Sequence, residues 1–200
     1  MMRITPFLLL AASLWSFTST SLAEQPIAKA YFAGGCFWCT ESDFEKIDGV
    51  AEAISGYMGG HTANPNYKSV SAGGTGHTEV VEVQYHPDQV SYAQLLEHFW
   101  HSIDPLTANA QFCDKGSQYR SAIFVTSPDE RSAAEASKAK VAQQLGKPVA
   151  TEINDYAPFT RAETYHQDYY KKNPLRYRYY RHGCGRDARL EAIWGPKKAD

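Results

Sequence analysis

The sequence predicts an α+β domain on a ferredoxin-like, split β-α-β core, an α/β sandwich with long loops and an irregular C-terminal tail. Three observations predict it. The hydrophobic periodicity runs in the order β-α-β-β-α-β, with further helix and strand after it. The stretch "TEVVEVQY" alternates cleanly: Glu79, Val81, Val83 and Tyr85 share one face, Val80, Glu82 and Gln84 the other. No helical pattern fits between the strand ending at Tyr57 and the one starting at Glu79, which weighs against the alternative, a doubly wound parallel sheet.

The elements follow in order. "KAYFAG", Lys29 to Gly34, is a short apolar run ending in glycine and reads as a strand. Cys36 to Ile47 reads as a helix: Phe37, Thr40, Phe44 and Ile47 make one stripe, and Glu41, Glu45 and Asp48 lie off it. Gly49 to Tyr57 is a second strand. Residues 58–78 are rich in Gly, Asn, Ser and Thr and form a long loop of the kind that often carries function. Beyond the central strand, Ser91 opens a helix with Gln94 in the capping-box position. Tyr92, Leu95, Leu96, Phe99, Trp100 and Ile103 recur at helical spacing, so that helix packs on a sheet. A second loop runs from about Asp104 to Tyr119, and "SAIFVT" is a buried strand. Ser127 then caps a helix with Pro128 at its first position and Glu130 completing the box. Gly146 stops that helix, with Pro148 beyond it. "VATEI" is an edge strand, and the Tyr- and Arg-dense tail from Ala162 is helix plus irregular wrap.

The 200 residues suffice for one domain with a full core. With a net charge of −2, no field favours nucleic acid or acidic lipid. The opening "MMRITPFLLLAASLWSFTSTSLA" has Arg3 in a short basic region, an apolar run from Phe7 to about Trp15, and the small-residue ending Ser21-Leu22-Ala23. It reads as a signal peptide over residues 1–23, leaving a single domain over residues 24–200. The run is too short to cross a bilayer, so no membrane span is expected after its removal. The expected location is periplasmic or secreted. In that oxidising space Cys36, Cys39, Cys113 and Cys184 would pair by default.

"GGCFWCTE", Gly34 to Glu41, suggests something more reactive. A cysteine opening a helix sits near unsatisfied N–H groups and the positive end of the helix dipole, which favours a thiolate. Trp38 lies on the polar side of the helix, with no core to fill there, and so is a candidate pocket wall. Phe37 is as suited to core as to pocket. Glu79 is a carboxyl on the apolar face of a strand. It is either a half-solvated strand end or a desolvated acid that keeps its proton near neutral pH. Tyr67 in "NPNYKSV", with Asp114 and Tyr119 in "CDKGSQYRS", supplies polar groups from the two loops. One CxxC without a second pair argues against a metal site.

Taken together, "GCFWCTE", "GYMGG…NPNYKSV", "GHTEVVEVQY", "QFCDKGSQYRSAIF" and "AETYHQDYY" resemble the peptide methionine sulfoxide reductases of type A, from about Lys29 to Gly195. The resemblance implies Cys36 as nucleophile, with Phe37 and Trp38 as the apolar wall around the substrate methyl group and Tyr119 closing the pocket. Glu79 is the implied acid that protonates the sulfoxide oxygen. Tyr67 and Tyr119 are implied hydroxyl donors, and Asp114 an organising group. The implied activity is reduction of methionine-S-sulfoxide, free or in oxidised proteins and peptides. No cofactor is implied beyond an external thioredoxin-like dithiol, and a monomer is expected. Cys36 would become a sulfenic acid that a second thiol resolves as a disulfide. Cys184, in the Gly-flanked "HGCGRDARL", is the first choice for that thiol and Cys39, at CxxC spacing, the alternative. Cys113 is a third possibility. His166 reads as a supporting or structural residue.

Overall fold

The computed structural model describes residues 26–196. The signal peptide expected at residues 1–23 lies outside the described residues. The chain runs β1 (Ala28–Gly34), α1 (Phe37–Phe44), β2 (Val50–Met58), α2 (Tyr67–Ser71), β3 (Thr78–Tyr85), α3 (Tyr92–His101), β4 (Ala110–Gln111), β5 (Asp114–Lys115), β6 (Ser121–Val125), α4 (Pro128–Leu145), β7 (Glu152–Asp155), β8 (Thr160–Arg161), α5 (Tyr169–Lys172), α6 (Pro174–Gly183) and α7 (Arg186–Trp194).

Six strands make one sheet in the order β7-β6-β1-β3-β2-β8. Its centre, β6-β1-β3-β2, is antiparallel throughout and is the expected split β-α-β arrangement, with β3 inserted between β1 and β2. At one edge β7 joins parallel to β6, and at the other the two-residue β8 joins β2. The alternation of β1 decides which face is which. Phe32 points to the helical layer and stacks on Phe44 of α1 and Phe99 of α3, with centroids 4.8 and 5.1 Å apart. Val81, Val83, Leu95 and Ile103 fill the same layer, and Ala134 and Val141 of α4 close it. Tyr31 and Ala33 point the other way, to Met58, Val80, Ala122 and Phe124 under Ala157 and Phe159. Each such large apolar side chain contributes roughly 1.5–3 kcal/mol on burial.

Helix ends largely follow their local chemistry. Ser91 and Gln94 form a reciprocal capping box at α3, and Gly146 takes φ 61° to end α4. At Ser127 the expected box is half made. The Ser127 hydroxyl accepts from the Glu130 N–H, but the Glu130 carboxylate reaches past it to the N–H of Thr126 at 2.7 Å.

Both long loops hold more structure than their composition suggested. Residues 58–78 contain α2, capped reciprocally by Asn66 and Ser69. The second loop contains the β4–β5 hairpin and a 3-10 turn at Ser117–Tyr119. The tail is three helices laid over the outer side of α1. That covering buries Glu41, which its position off the helix stripe had placed in solvent; it is 1% exposed. It accepts from the Ser55 hydroxyl and the Asp168 N–H.

Candidate active site

The turn from β1 into α1 sets the first functional atom. Gly35 takes φ 83°, and a Cβ there would lie 2.4 Å from Cβ of Gln111, so only glycine fits. Cys36 follows as the N-cap residue of α1, without a side-chain cap of its own. The first free N–H of the helix, that of Phe37, is taken by Oε2 of Glu79 at 2.9 Å. Glu79 comes from β3, where Tyr57 of β2 is its register partner.

Glu79 is 2% exposed, and burial pushes its carboxyl up to about 8, against the pull of the Phe37 N–H and with Asp114 adding to the rise. Of the two readings of this residue, the structure supports the desolvated acid that holds its proton at neutral pH.

All seven residues singled out as nucleophile, acid, wall, hydroxyl donor or organising group line one small cavity of about 70 Å³: Cys36, Phe37, Trp38, Tyr67, Glu79, Asp114 and Tyr119. Phe37 is buried and packs on Tyr57 and His166, at 5.9 and 4.9 Å between centroids. Tyr67 is held by its own N–H, which donates to Glu163 Oε1 at 2.9 Å, while Glu163 Oε2 accepts from the Tyr57 hydroxyl. Tyr119 ends the 3-10 turn, and burial raises its hydroxyl pKa. Asp114 opens β5, and burial raises its carboxyl too.

Trp38 does not lack a core, contrary to the reading from helix position. Its ring lies on Tyr169, and its indole N–H donates to Nδ1 of His166 at 3.0 Å. With Nδ1 accepting, the His166 proton sits on Nε2. Burial lowers the His166 pKa to about 4, so the ring is neutral. It supports Trp38 and touches Tyr67, with centroids 4.5 Å apart.

At rest Cys184 is bonded to Cys113. Cys36 and Cys39 are free, buried and in hydrogen-bond contact with each other. Cys39, the alternative resolving thiol, is therefore the thiol beside Cys36. The helix end does not lower the Cys36 thiol as expected. Burial pushes it up, and Cys39 and Glu79 push the same way. Burial outweighs the helix end, whose first free N–H, that of Phe37, is taken by Glu79. Cys39 is lowered instead, first by the hydrogen bond with Cys36 and then by Arg186 and Arg181.

Among the described residues two groups have metal-ligating types close together, Cys113/Asp114/Cys184 and Glu41/Glu45/Asp168. In the first the two sulfurs are bonded to each other. In the second Lys171 bridges Glu45 and Asp168 at 2.7 and 2.9 Å.

The chain and its fold have counterparts among known proteins. The family model "Peptide methionine sulfoxide reductase" matches residues 28–198. The chain belongs to the peptide methionine sulfoxide reductase family. Relatives named peptide methionine sulfoxide reductase MsrA include one from Caulobacter vibrioides, 43% identical over 98% of this chain and 100% of its own. Another, from Bacillus subtilis, is 47% identical over 84% of this chain and 96% of its own. Among solved structures, reduced Mxr1 of Saccharomyces cerevisiae matches with a TM-score of 0.71 at 34% identity, covering 80% of this chain and 93% of its own. Methionine sulfoxide reductase A of Corynebacterium diphtheriae matches with a TM-score of 0.68 at 35% identity, covering 74% and 76%.

In this family member, sequence reasoning missed one cavity residue, Tyr180 of α6. Its hydroxyl donates to Asp114 Oδ2 at 2.6 Å and is in hydrogen-bond contact with Cys36. The signal available was its place one helical turn before Cys184, in a segment read only as tail. Tyr169, under Trp38, was missed for the same reason.

Proposed function

We propose that this protein reduces methionine-S-sulfoxide, free or in oxidised proteins and peptides, to methionine, and so repairs oxidised proteins. One observation carries the reading: a carboxyl held neutral by burial, Glu79, and a thiol, Cys36, line the same aromatic-walled cavity. A sulfoxide sulfur is a poor electrophile until its oxygen is protonated or strongly hydrogen-bonded. Glu79 supplies the proton, with the Tyr67 and Tyr119 hydroxyls as further donors to that oxygen. Phe37 and Trp38 hold the methyl group. The Cys36 sulfur attacks, the oxygen passes to it, methionine leaves, and Cys36 is left as sulfenic acid. Thiol plus sulfoxide gives sulfenic acid plus sulfide, so atoms and electrons balance.

Cys39 then condenses with the sulfenic acid, releasing water and forming a Cys36–Cys39 disulfide. This role for Cys39 rests on its contact with Cys36 and on Cys184 being engaged with Cys113. An external thioredoxin-like dithiol returns both thiols by exchange. The reading needs no bound cofactor. The signal-peptide pattern of residues 1–23 supports a periplasmic or secreted location, and a monomer is part of the same proposal. The S-epimer follows from the family resemblance.

The test is methionine release from each sulfoxide epimer by the wild type and Cys36→Ser, with dithiothreitol as reductant. Turnover of the S-epimer that disappears in Cys36→Ser is the expected result. Equal turnover by the variant ends this reading.

A further inference from the structure

Cys36 is buried and has no exposed base beside it, so its proton needs a path out. The cavity offers one that none of the expected site residues supplies. Tyr180 Oη lies between Cys36 and Asp114: it donates to Asp114 Oδ2 at 2.6 Å and touches the sulfur. We propose that Tyr180 is a further catalytic residue of this site, passing the Cys36 thiol proton to Asp114, and that the Cys113–Cys184 disulfide holds it in place.

The proton balance is simple. The Cys36 S–H proton moves to Tyr180 Oη as the Tyr180 proton moves to the Asp114 carboxylate. Thiol and carboxylate become thiolate and carboxylic acid, and the tyrosine is unchanged. Its hydroxyl is then placed to donate to the new thiolate, the contact that opposes the rise in the Cys36 pKa. Asp114 is made a better proton acceptor by its own burial. Because Asp114 is only partly buried, it can pass the proton on to water.

The disulfide runs alongside this hydrogen bond. Cys113 directly precedes Asp114, and Cys184 lies one turn after Tyr180, its N–H donating to the Tyr180 carbonyl at 2.9 Å. One covalent bridge thus ties together the two backbones that carry donor and acceptor. Other titratable or charged groups around the row are Cys39 on α1, Tyr67 on α2, Glu79 on β3, Tyr119 on the 3-10 turn and Arg186 on α7. Cys39 is the rival: its sulfur also contacts Cys36 and could take the proton directly.

The proposal rests on the sulfoxide-reductase reading, so its test includes a measurement that does not need the substrate. Cys36 alkylation by iodoacetamide is followed by mass spectrometry from pH 5 to 10. The single-turnover rate of methionine formation is measured over the same range. The proteins are wild type, Tyr180→Phe, Asp114→Asn, Cys39→Ser and the Cys113→Ser/Cys184→Ser double variant. Tyr180→Phe is expected to move the ascending limb of both profiles up by about one pH unit, cutting the rate at pH 7 about 10-fold; alkylation then recovers toward alkaline pH, whereas methionine formation is limited above about pH 8 by loss of the Glu79 proton. Asp114→Asn should move it likewise, which keeps the test open if Tyr180→Phe fails to fold. The double variant should shift the limb in the same direction by less. Unshifted limbs in Tyr180→Phe and Asp114→Asn, or an equal loss at every pH, overturn the relay. A limb that moves only in Cys39→Ser assigns the proton to Cys39 and also overturns it. An unshifted double variant overturns the clamp. A wild type that alkylates normally but yields no methionine sinks the functional reading instead.

Discussion

Trp38 lies flat on Tyr169, with ring centroids 3.7 Å apart and planes 5° from parallel. One ring comes from the helix that carries the nucleophile, the other from the tail. The tail therefore builds the wall that should hold the substrate methyl group. Tyr169→Ala is expected to raise KM for methionine sulfoxide about 10-fold and to destabilise the fold by about 3 kcal/mol. Tyr169→Phe, which keeps the stack, should lose little of either. Steady-state kinetics and urea unfolding measure both. An unchanged KM in Tyr169→Ala would mean that the wall stands without its backing.

Glu79 is expected to set the alkaline limit of activity. Its carboxyl is raised to about 8, so it is protonated at pH 7 and loses its proton as pH rises through that value. Turnover should fall above pH 8 for that reason. Glu79→Gln keeps a polar side chain but has no acidic proton. It is expected to lose about 100-fold in kcat/KM and to lack the descending limb near pH 8. A descending limb that persists unchanged in Glu79→Gln would assign it to another group.

The assignment of Cys39 as resolving thiol gives a count. Cys39→Ser should form about one methionine per protein, stop as Cys36 sulfenic acid, and be trapped by dimedone. Cys184→Ser should still form the Cys36–Cys39 disulfide, visible by peptide mass mapping after one turnover. A Cys36–Cys184 link in the wild type after turnover would instead return the resolving role to Cys184.

The sheet and its helical layer were legible because their signal is local. Phe32, Phe44 and Phe99 each repeat in register with near neighbours, and Ser91 with Gln94 announces its own cap. Cys36, Glu79 and the two loop tyrosines were legible through motif order. What escaped was everything the tail does. Helix periodicity shows which side of α1 faces the sheet, but not that the opposite side is covered. Glu41 looked solvated and Trp38 unsupported, although both are packed by residues more than a hundred positions later. Tyr180 is one of several tyrosines in an Arg-rich stretch, and only its contact with Asp114 distinguishes it. The Cys36 thiol was misjudged because a helix N-terminus is visible in sequence, whereas the burial that outweighs it and the carboxyl claiming its N–H are not.

Arg186 ties the tail to the catalytic turn. It is 2% exposed, donates to the carbonyls of Gly34 and Ser102 at 3.3 and 2.7 Å, and lies over the Phe112 ring. Arg186→Met takes a donor from two carbonyls and removes one of the two guanidiniums beside Asp43. The expected cost is about 3–5 kcal/mol, read as a lower urea midpoint. Since Gly34 stands just before Gly35 and Cys36, kcat should fall as well, even where the variant is fully folded. A folded variant with full kcat would show that the turn holds itself.

Glu41 should make stability fall as pH rises from about 4.5 toward neutrality. Burial lifts its carboxyl from the ordinary 4.5 to about 7, against the hydrogen bonds from Ser55 and the Asp168 N–H. A folded-state pKa above the unfolded value means that the native protein holds a proton the unfolded chain has released. Between pH 4.5 and 7 the native state therefore binds more protons, and each rise in pH costs stability until the native group also ionises. One pKa unit corresponds to about 1.4 kcal/mol, so the whole window is worth on the order of 1–3 kcal/mol. Glu79 acts with the same sign up to about pH 8. Glu41→Gln cannot ionise, so the difference in unfolding free energy between variant and wild type should move in the variant's favour from pH 5 to pH 7 and then level off. A difference that stays flat across that window would mean that Glu41 is already ionised in the native protein at pH 5, with Ser55 and Asp168 outweighing its burial.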